Sequence, residues 1–359
     1  MKRNFLYLAV LTIIAWLLLW IYAPEDEPSG QAVADRYLLP GIAKKINQAN
    51  RVEIVSAGNN TVATLLKTGQ GWKFEQMGGY HANWVKLQSL LAGLAQARIV
   101  EAKTDKAEYY TRLGVEDIVA EDARGVLVRI SIADETTGIL IGHRATSRQG
   151  QYVRLQNTAA SALVDRLLDV SSEPLDWADS EIIDISAAEV AEVEIIHPQG
   201  ERLLVTRISA DQTDFDLVAL PQDRQIKSSW AVNSLASVLS MLNMETVRTD
   251  SGIDWSRAIK MRLLMFSGVE IMADMLAVDD AYLLRLHADY PAAAVVSPPV
   301  NTGTDNTEQP DIDRQVAIDV EKSVDDINKK VAGWVYGISK YKFDAMVKLP
   351  EDLLDPLES

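Results

Sequence analysis

The sequence contains no cysteine. No disulfide can therefore stabilise the fold, and no thiol is available as a nucleophile or as a thiolate ligand for a metal. The same absence excludes a lipid anchor attached to a cysteine. Any catalysis or metal binding by this chain would have to use other side chains.

Histidine is also scarce, with four residues among 359. These histidines form neither an H-x-x-x-H nor an H-E-x-x-H pattern, and none stands at ligand spacing from another. We expect all of them at strand ends or turns near the surface: His81, His143, His197 and His287.

Enzyme signatures built on glycine or serine are missing as well. The sequence has no G-x-S-x-G elbow, no Walker-type loop and no G-x-G-x-x-G loop. The adjacent acids Asp279–Asp280 and Asp325–Asp326 suit a turn or a polar helix face. Glycosidase catalysis needs two carboxylates about 5–9.5 Å apart across a cleft. The sequence therefore predicts no enzyme, no catalytic or cofactor-binding residue, no cofactor and no metal ligand.

Positive charge is in the minority. With 35 basic and 51 acidic residues the formal net charge is −16, which repels nucleic acid, so we predict no nucleic-acid partner. The hydrophobic fraction of 48% supplies enough apolar surface for packed cores. The chain is longer than one core usually organises, which favours two domains.

One long apolar run stands at the N-terminus. Within residues 5–23 only Thr12 is neither apolar nor aromatic. As a helix this run would span roughly 28 Å, close to the hydrocarbon thickness of a bilayer. Trp16, Trp20 and Tyr22 gather near its far end, where aromatic rings favour the headgroup zone. We therefore predict a transmembrane anchor at residues 5–23.

Basic residues set the orientation of this anchor. Lys2 and Arg3 precede the apolar run, and no basic residue follows until Arg36. Because basic flanks stay in the cytoplasm, residues 1–4 are predicted to form a cytoplasmic stub. The chain after the linker, which we call the body, is then predicted to lie in the periplasm. The predicted location is the inner membrane, in a single pass, with residues 24–36 as a linker.

A cleaved signal peptide is the alternative interpretation of the same run. Such peptides have shorter apolar cores, of roughly 7–15 residues, and a small-x-small cleavage site. Here Pro24 follows Ala23, and bulky Ile21 fills the other small-residue position. The retained anchor is therefore favoured over cleavage.

The body is predicted to consist of two tandem α+β repeats, residues 37–185 and 186–350. In the first, β-branched and aromatic segments predict strands, and leucine spacing predicts a helix. The strands are "RVEIVS" (51–56), "TVATLLK" (61–67), "GWKFEQ" (71–76), "ARIVEAK" (97–103), "GVLVRISIAD" (125–134), "TGILIGHR" (137–144) and "GQYVRLQ" (150–156), and the helix is 83–97. A second helix is predicted over 159–170, and Trp177 follows it.

The second repeat gives similar segments in the same order. They are "EVEIIHP" (192–198), "RLLVTRIS" (202–209), "DFDLVAL" (214–220), a helix over 229–243, "METVRT" (244–249) and "AYLLRLH" (281–287). A closing helix follows over 313–332, with Gly333 as its C-cap and then Trp334. We therefore predict two copies of one antiparallel-rich sheet with packed helices.

Two further segments stand apart from the repeat. Residues 290–312 are rich in Pro, Thr, Asn and Asp, which predicts a mobile loop that is either an inert insertion or a docking segment. Residues 351–359 are expected to form an acidic tail.

Residues 97–118, "ARIVEAKTDKAEYYTRLGVEDI", carry a family resemblance, together with 37–54, 152–155, 167–185 and 333–348. They resemble the bacterial envelope family called domain of unknown function 4340 (DUF4340), over nearly all of the body. The resemblance implies a single-pass protein facing the periplasm and associated with auxiliary ABC-type transport components, including gliding-motility-like ones. It implies no active site. The segment "YYTRLGV" (109–115) favours a short helical turn packed beneath the sheet over a recognition surface.

Three functions follow from these observations. The leading hypothesis is a non-enzymatic, membrane-tethered accessory protein that docks onto an ABC-type transporter or another envelope complex. The alternative is a periplasmic module that binds a glycan or peptide, and a cell-wall hydrolase is less favoured. Five tryptophans stand at repeat positions and are expected in cores: Trp72, Trp84, Trp177, Trp230 and Trp334.

Overall fold

The computed structural model describes residues 36–146, 149–291 and 309–355, with side chains from residue 318 onward in the last range. The predicted anchor at 5–23 and most of the predicted loop at 290–312 lie outside these residues. Within the described ranges, no helix combines the length and the apolar character needed to cross a membrane.

The first half of the described chain forms one ten-stranded sheet. In the sheet its strands follow the order β1-β6-β10-β9-β8-β7-β2-β3-β4-β5. Their bounds are β1 Arg36–Tyr37, β2 Ala49–Ser56, β3 Asn60–Thr68, β4 Gly71–Phe74, β5 Tyr80–His81, β6 Arg98–Ala102, β7 Val126–Ile132, β8 Glu135–Arg144, β9 Gln151–Leu155 and β10 Ser161–Val164.

The second half forms a short two-stranded ladder and an eight-stranded sheet. The ladder pairs β11 with β15, and the sheet has the order β14-β13-β12-β17-β18-β19-β20-β16. The bounds are β11 Glu181–Ile183, β12 Val190–Ile196, β13 Arg202–Thr206, β14 Asp216–Leu217, β15 Leu242–Asn243, β16 Thr246–Thr249, β17 Ile259–Met265, β18 Glu270–Val278, β19 Ala281–Asp289 and β20 Trp334–Gly337.

Seven α-helices accompany these strands in the described residues. They are α1 Ile42–Lys45, α2 Trp84–Gln96, α3 Tyr110–Leu113, α4 Ser229–Asn233, α5 Gln309–Val331, α6 Lys340–Met346 and α7 Pro350–Leu353. In α2 the predicted leucine stripe is buried, since Leu87, Leu91 and Leu94 are at most 7% exposed.

The two sheets share one strand order. Eight strands of the first sheet, β6-β10-β9-β8-β7-β2-β3-β4, match β16-β20-β19-β18-β17-β12-β13-β14 of the second, position by position. All pairings with a defined register are antiparallel, as in β8–β9 and β18–β19. The predicted repeat of an antiparallel-rich α+β unit is therefore present in the described body.

The described chain divides into two compact units. The first comprises 36–49, 53–61 and the described part of 88–170, and the second comprises 50–52, 62–87 and the described residues from 171 onward. Within the second unit, the Tyr80 ring makes edge contacts with Trp334 and Tyr336, with ring centroids 5.0 and 6.0 Å apart.

The predicted helix over 159–170 is wrong. Residues Ser161–Val164 form β10, which lies between β6 and β9 in the sheet. Leu163 and Leu167 have helical spacing, yet Leu163 is buried and Leu167 is 42% exposed. A segment this short fits either structure, and pairing with two strands decides in favour of β-structure.

The predicted helix over 229–243 is shorter than expected. It consists of α4 and a 3-10 turn at Ser234–Ser237, after which Leu242 enters β15. The residues predicted to form its apolar face are nevertheless all buried: Val232, Leu235, Leu239 and Leu242.

The closing helix belongs to the second repeat alone. It spans Gln309–Val331, so residues 309–312 are helical rather than loop, and Gly333 follows it with φ 80°. In the strand order β10 matches β20, so Trp334 lies on a repeat strand whereas Trp177 does not. The expected match of these two tryptophans is wrong.

Two other expectations need correction. Residues 351–355 do not begin a tail, because residues 351–353 belong to α7, Leu354 forms a bridge with Ile226, and the side chains of Leu353 and Leu354 are buried. Trp84 and Trp230 are not core residues, since they are 50% and 77% exposed. Each stands in the first turn of its helix.

Candidate functional site

Strand registers identify which residues of the two sheets occupy equivalent positions. In the first sheet, Leu140 of β8 lies between Leu127 of β7 and Arg154 of β9. In the second, Asp274 of β18 lies between Lys260 of β17 and Arg285 of β19. These two rows are the same row of the repeated sheet, so Leu127, Leu140 and Arg154 correspond to Lys260, Asp274 and Arg285.

An arginine–glutamate pair is common to both repeats on this face. Arg129 lies opposite Gly138, and its Nη1 is 3.4 Å from Oε2 of Glu53. Arg262 lies opposite Met272, and its Nε is 3.2 Å from Oε2 of Glu194. The matching strand segments are "VEIV" with "VEII" and "LVRI" with "KMRL".

In the first repeat this face is covered by the chain itself. We call residues 110–118 the plug. Ile118 packs in a buried cluster with Val55, Leu127 and Leu140 of the sheet. Tyr110 and Val115 of the plug are 7% and 0% exposed. The segment "YYTRLGV" therefore packs as a short helical turn beneath the sheet, as predicted from the sequence.

Arg154 fixes the plug to the sheet. Its Nε donates to the carbonyl of Val115 at 2.8 Å and its Nη1 donates to the carbonyl of Thr158 at 2.8 Å. Its Nη2 is paired with the carboxylate of Asp117, and its guanidinium lies 4.4 Å from the ring centre of Tyr110. The side chain is 4% exposed, and each of its three nitrogens donates to a partner inside the protein.

Close backbone approach at Gly142 gives a test of this packing. A Cβ at position 142 would lie 2.2 Å from the carbonyl oxygen of Leu113 and 2.7 Å from that of Gly114. Because these are backbone atoms, Gly142→Ala must displace the plug, and we expect a loss of about 2 kcal/mol in the free energy of unfolding. Urea denaturation of the purified protein measures it.

Gly93→Ala is the matched control within the same compact unit. A Cβ there meets only the Cδ2 of Leu168, at 3.1 Å, and Gly93 lies inside α2. Because alanine favours the helix over glycine by about 1 kcal/mol, this variant should be neutral or slightly stabilised. Equal urea midpoints for Gly142→Ala and wild type would show that the plug is not packed as described.

In the second repeat the same face is open. It forms a cavity of about 530 Å³ on the surface of the eight-stranded sheet. Side chains from β12, β17, β18 and β19 line it, and the turn after α5 closes one side. The lining residues on this face of the four strands are Glu194, Ile196, Lys260, Arg262, Met272, Asp274, Arg285 and His287.

Arg262 is the centre of an ion-pair network in this cavity. Its guanidinium contacts the carboxylates of Glu192, Glu194 and Glu270. Burial opposes ionisation of Glu194, but hydrogen bonds from Arg202 and Arg262 outweigh it and hold the pKa of this carboxyl below its usual range. The network therefore keeps Glu194 ionised and Arg262 fixed in position.

A second network holds Arg285. Its Nε donates to Oδ2 of Asp274 at 2.8 Å, and its Nη1 donates to Oδ2 of Asp250 at 3.0 Å. The ring of Trp255 lies 4.6 Å from the guanidinium and donates its Nε1–H to Asp250. Burial lowers the pKa of Arg285, but these two acids outweigh it and raise the pKa overall.

The length of one connection explains why the second face is open. Residues 103–125 connect β6 to β7 and include the plug, whereas only residues 250–258 connect β16 to β17. The short connection places Trp255 over Arg285, much as Tyr110 lies over Arg154. It supplies no equivalent of Ile118, so the positions of Lys260 and Asp274 stay uncovered.

The histidines do not converge. His287 lies on β19 within the cavity, while His81 is next to Lys73, with its Nδ1 3.2 Å from Nζ. Burial first, and then the charge of Lys73, lowers the pKa of His81. In the ranges that the structure describes, no group of three or more His, Asp or Glu side chains is placed to hold a metal ion. The predicted lack of metal and cofactor stays a prediction.

The sequence pointed to no site residue, and the open face was missed. The charged side chains of the open face belong to no recognisable sequence motif, and only the strand registers show that they are neighbours. One signal was available in the repeat. Aligned without gaps, "GILI" (138–141) corresponds to "MADM" (272–275), so Asp274 stands where the first repeat has the apolar Leu140.

A family profile described as a domain of unknown function (DUF4340) matches residues 72–254, about half of the chain. The chain belongs to the DUF4340 family. No curated protein and no solved structure matches it. The DUF4340 match is narrower than the resemblance over nearly the whole body that the sequence suggested.

The DUF4340 region includes the plug, Arg129 and Arg154. Glu194 and Asp250 of the open face also lie inside it, but β17, β18 and β19 lie beyond its end. The strands that carry Lys260, Arg262 and Arg285 are therefore outside the matched region. Their assignment to the repeat rests on strand order and register.

Proposed function

We propose that the chain is a non-enzymatic accessory protein of the bacterial envelope, with the open face of its second repeat as the recognition surface. In this proposal residues 5–23 tether it to the inner membrane and the body lies in the periplasm. The partner is an ABC-type transporter component or a protein of another envelope complex.

One observation carries the proposal. The same sheet face is covered by the plug in the first repeat and is uncovered in the second, where a cavity of about 530 Å³ remains. A face that can be closed within the fold but is left open is suited to receive something from outside. The apolar run at the N-terminus and the family resemblance support the membrane and transporter parts of the proposal.

A second candidate is a periplasmic module that binds a small glycan or peptide. The volume of the cavity favours it, because small-molecule sites occupy about 300–1,000 Å³ and place a few polar groups around an apolar floor. Met272 supplies such a floor between Arg262 and His287.

Site-specific photocrosslinking distinguishes the two. The photoreactive residue p-benzoylphenylalanine replaces Met272 in the full-length protein, and cells of the native host are irradiated. We expect an adduct that contains a transporter subunit or another envelope protein. The control places the same residue at Ile208, which is 84% exposed and does not line the cavity.

The mass of the adduct decides between the candidates. A partner protein joined at position 272 and not at 208 supports docking, while an adduct of small mass supports the ligand-binding module. If irradiation gives no adduct at 272 beyond that at 208, the open face is not a recognition surface.

A further inference from the structure

We infer that the open face binds an anionic group, a carboxylate or a phosphate, between Lys260 and His287. This inference rests on the proposed function, because it specifies the chemistry that the open face recognises. It comes from the charged side chain of the cavity that has no partner in the described part of the protein and from the comparison of the two repeats.

The acids that line the cavity already have cationic partners. Glu194 is paired with Arg202 and Arg262, and Asp250 and Asp274 are both paired with Arg285. Each of these three carboxylates therefore contacts a guanidinium within the protein. These acids position the two arginines of the cavity, and none of the three is without a cationic partner.

Two basic side chains in the cavity have no partner among the described residues. Lys260 and His287 are exposed, and within the described part of the chain neither side chain has a hydrogen-bond or ion-pair partner. Lys260 carries a compact ammonium with three donors, which suits a carboxylate or phosphate oxygen. The unpaired charge that a ligand can contact in the cavity is therefore the ammonium of Lys260.

The first repeat shows what occupies the equivalent place. There Ile118 covers Leu127 and Leu140, so an aliphatic side chain rests on an aliphatic floor. In the second repeat the same two positions are Lys260 and Asp274. An aliphatic group placed there would bury charged groups, at a cost in desolvation, so the occupant must be polar and must complement Lys260.

The spacing of the two groups limits the size of the ligand. Lys260 is on β17 and His287 is on β19, with β18 between them. Adjacent strands lie about 4.8 Å apart, and His287 is two residues along β19 from Arg285, which is in the row of Lys260, so the two Cα atoms are separated by roughly 12 Å. Their side chains can reach toward one anion above Met272, or bind the two ends of a short dianion.

Histidine NMR tests this inference directly, because the chain has four histidines and only one lies in the cavity. The full-length protein in detergent is labelled with ¹³C-histidine and titrated with inorganic phosphate or with glutarate. Sodium chloride at matched ionic strength is the control. We expect the imidazole signal of His287 to shift saturably, with a dissociation constant of about 1 mM or tighter. The other three signals should stay in place.

Substitutions of lysine give the second arm of the test. Lys260→Met should weaken the response of His287 at least about tenfold, the effect of losing one charge-assisted hydrogen bond. Lys44→Met removes an equally exposed positive charge far along the sequence, on α1, and should change nothing. Unchanged signals of His81, His143 and His197 will show that both variants keep the fold.

The titrations also separate the two anion sources, since a response to phosphate alone or to glutarate alone identifies the group recognised. No shift of His287 with either anion, the same shift with chloride, or an unchanged response in Lys260→Met overturns the inference. These results are distinct from failure of the proposed function. Crosslinking at position 272 without an anion response leaves docking in place, and an anion response without a protein adduct leaves the anion site in place.

Discussion

Replacing Arg154 with methionine will lower the free energy of unfolding by about 3 kcal/mol or more, because a buried hydrogen-bonded charge is lost. The Arg154 side chain is 4% exposed and donates to the carbonyls of Val115 and Thr158. Methionine has similar length but no donor, so the buried carbonyl of Val115 would lose its partner. The plug would also lose its main attachment to the sheet.

Arg285→Met is the matched control at the equivalent position of the second repeat. The Arg285 side chain is 37% exposed, and its partners are the carboxylates of Asp250 and Asp274 rather than buried carbonyls. Water can solvate both acids when the arginine is removed. We expect a loss of about 1 kcal/mol or less, as is typical for partly exposed ion pairs.

Urea denaturation of the two variants and the wild type, followed by tryptophan fluorescence and by circular dichroism, measures the difference. Two probes are needed because a chain with two compact units can unfold in more than one step. A loss for Arg154→Met no larger than that for Arg285→Met would contradict the account of the plug.

Strands were the most predictable part of the fold. Segments such as "RVEIVS" alternate and are rich in β-branched residues, and β2 forms there. The order of segments also predicted the repeat, because the same strands must pair with each other in both units for each sheet to be buried. Where local patterns were ambiguous, tertiary pairing decided. Ser161–Val164 forms β10 because it pairs with β6 on one side and with β9 on the other.

The ends of helices misled the assignment of the core. Trp84 and Trp230 occupy the same place in the two repeats and were expected to be buried for that reason. Both stand in the first turn of a helix and are exposed. Equivalence between repeats therefore identifies a shared position and does not by itself identify a shared environment.

The open face could not be predicted from composition or motifs. Lys260, Asp274 and Arg285 are separated in the sequence, and they form a row only because β17, β18 and β19 are neighbours in register. The difference from the first repeat is set by a change of two apolar residues to charged ones and by a shorter connection. Both changes are visible in the sequence once the repeats are aligned by register.

The central claim is that equivalent faces are closed in the first repeat and open in the second. Because the chain has no cysteine, a single introduced thiol reports on each face without interference. Leu127 and Lys260 are equivalent positions, of which the first is 0% exposed and the second is exposed. The variants Leu127→Cys and Lys260→Cys are therefore the direct comparison.

The measurement is the rate at which maleimide modifies each thiol in the folded protein, divided by its rate in urea. A buried thiol reacts only when the structure opens locally, and an opening free energy of about 4 kcal/mol corresponds to roughly 1,000-fold protection. We predict protection of this size or more for Leu127→Cys and almost none for Lys260→Cys. Similar protection at both positions, whether high or low, would contradict the claim that one face is closed and the other open.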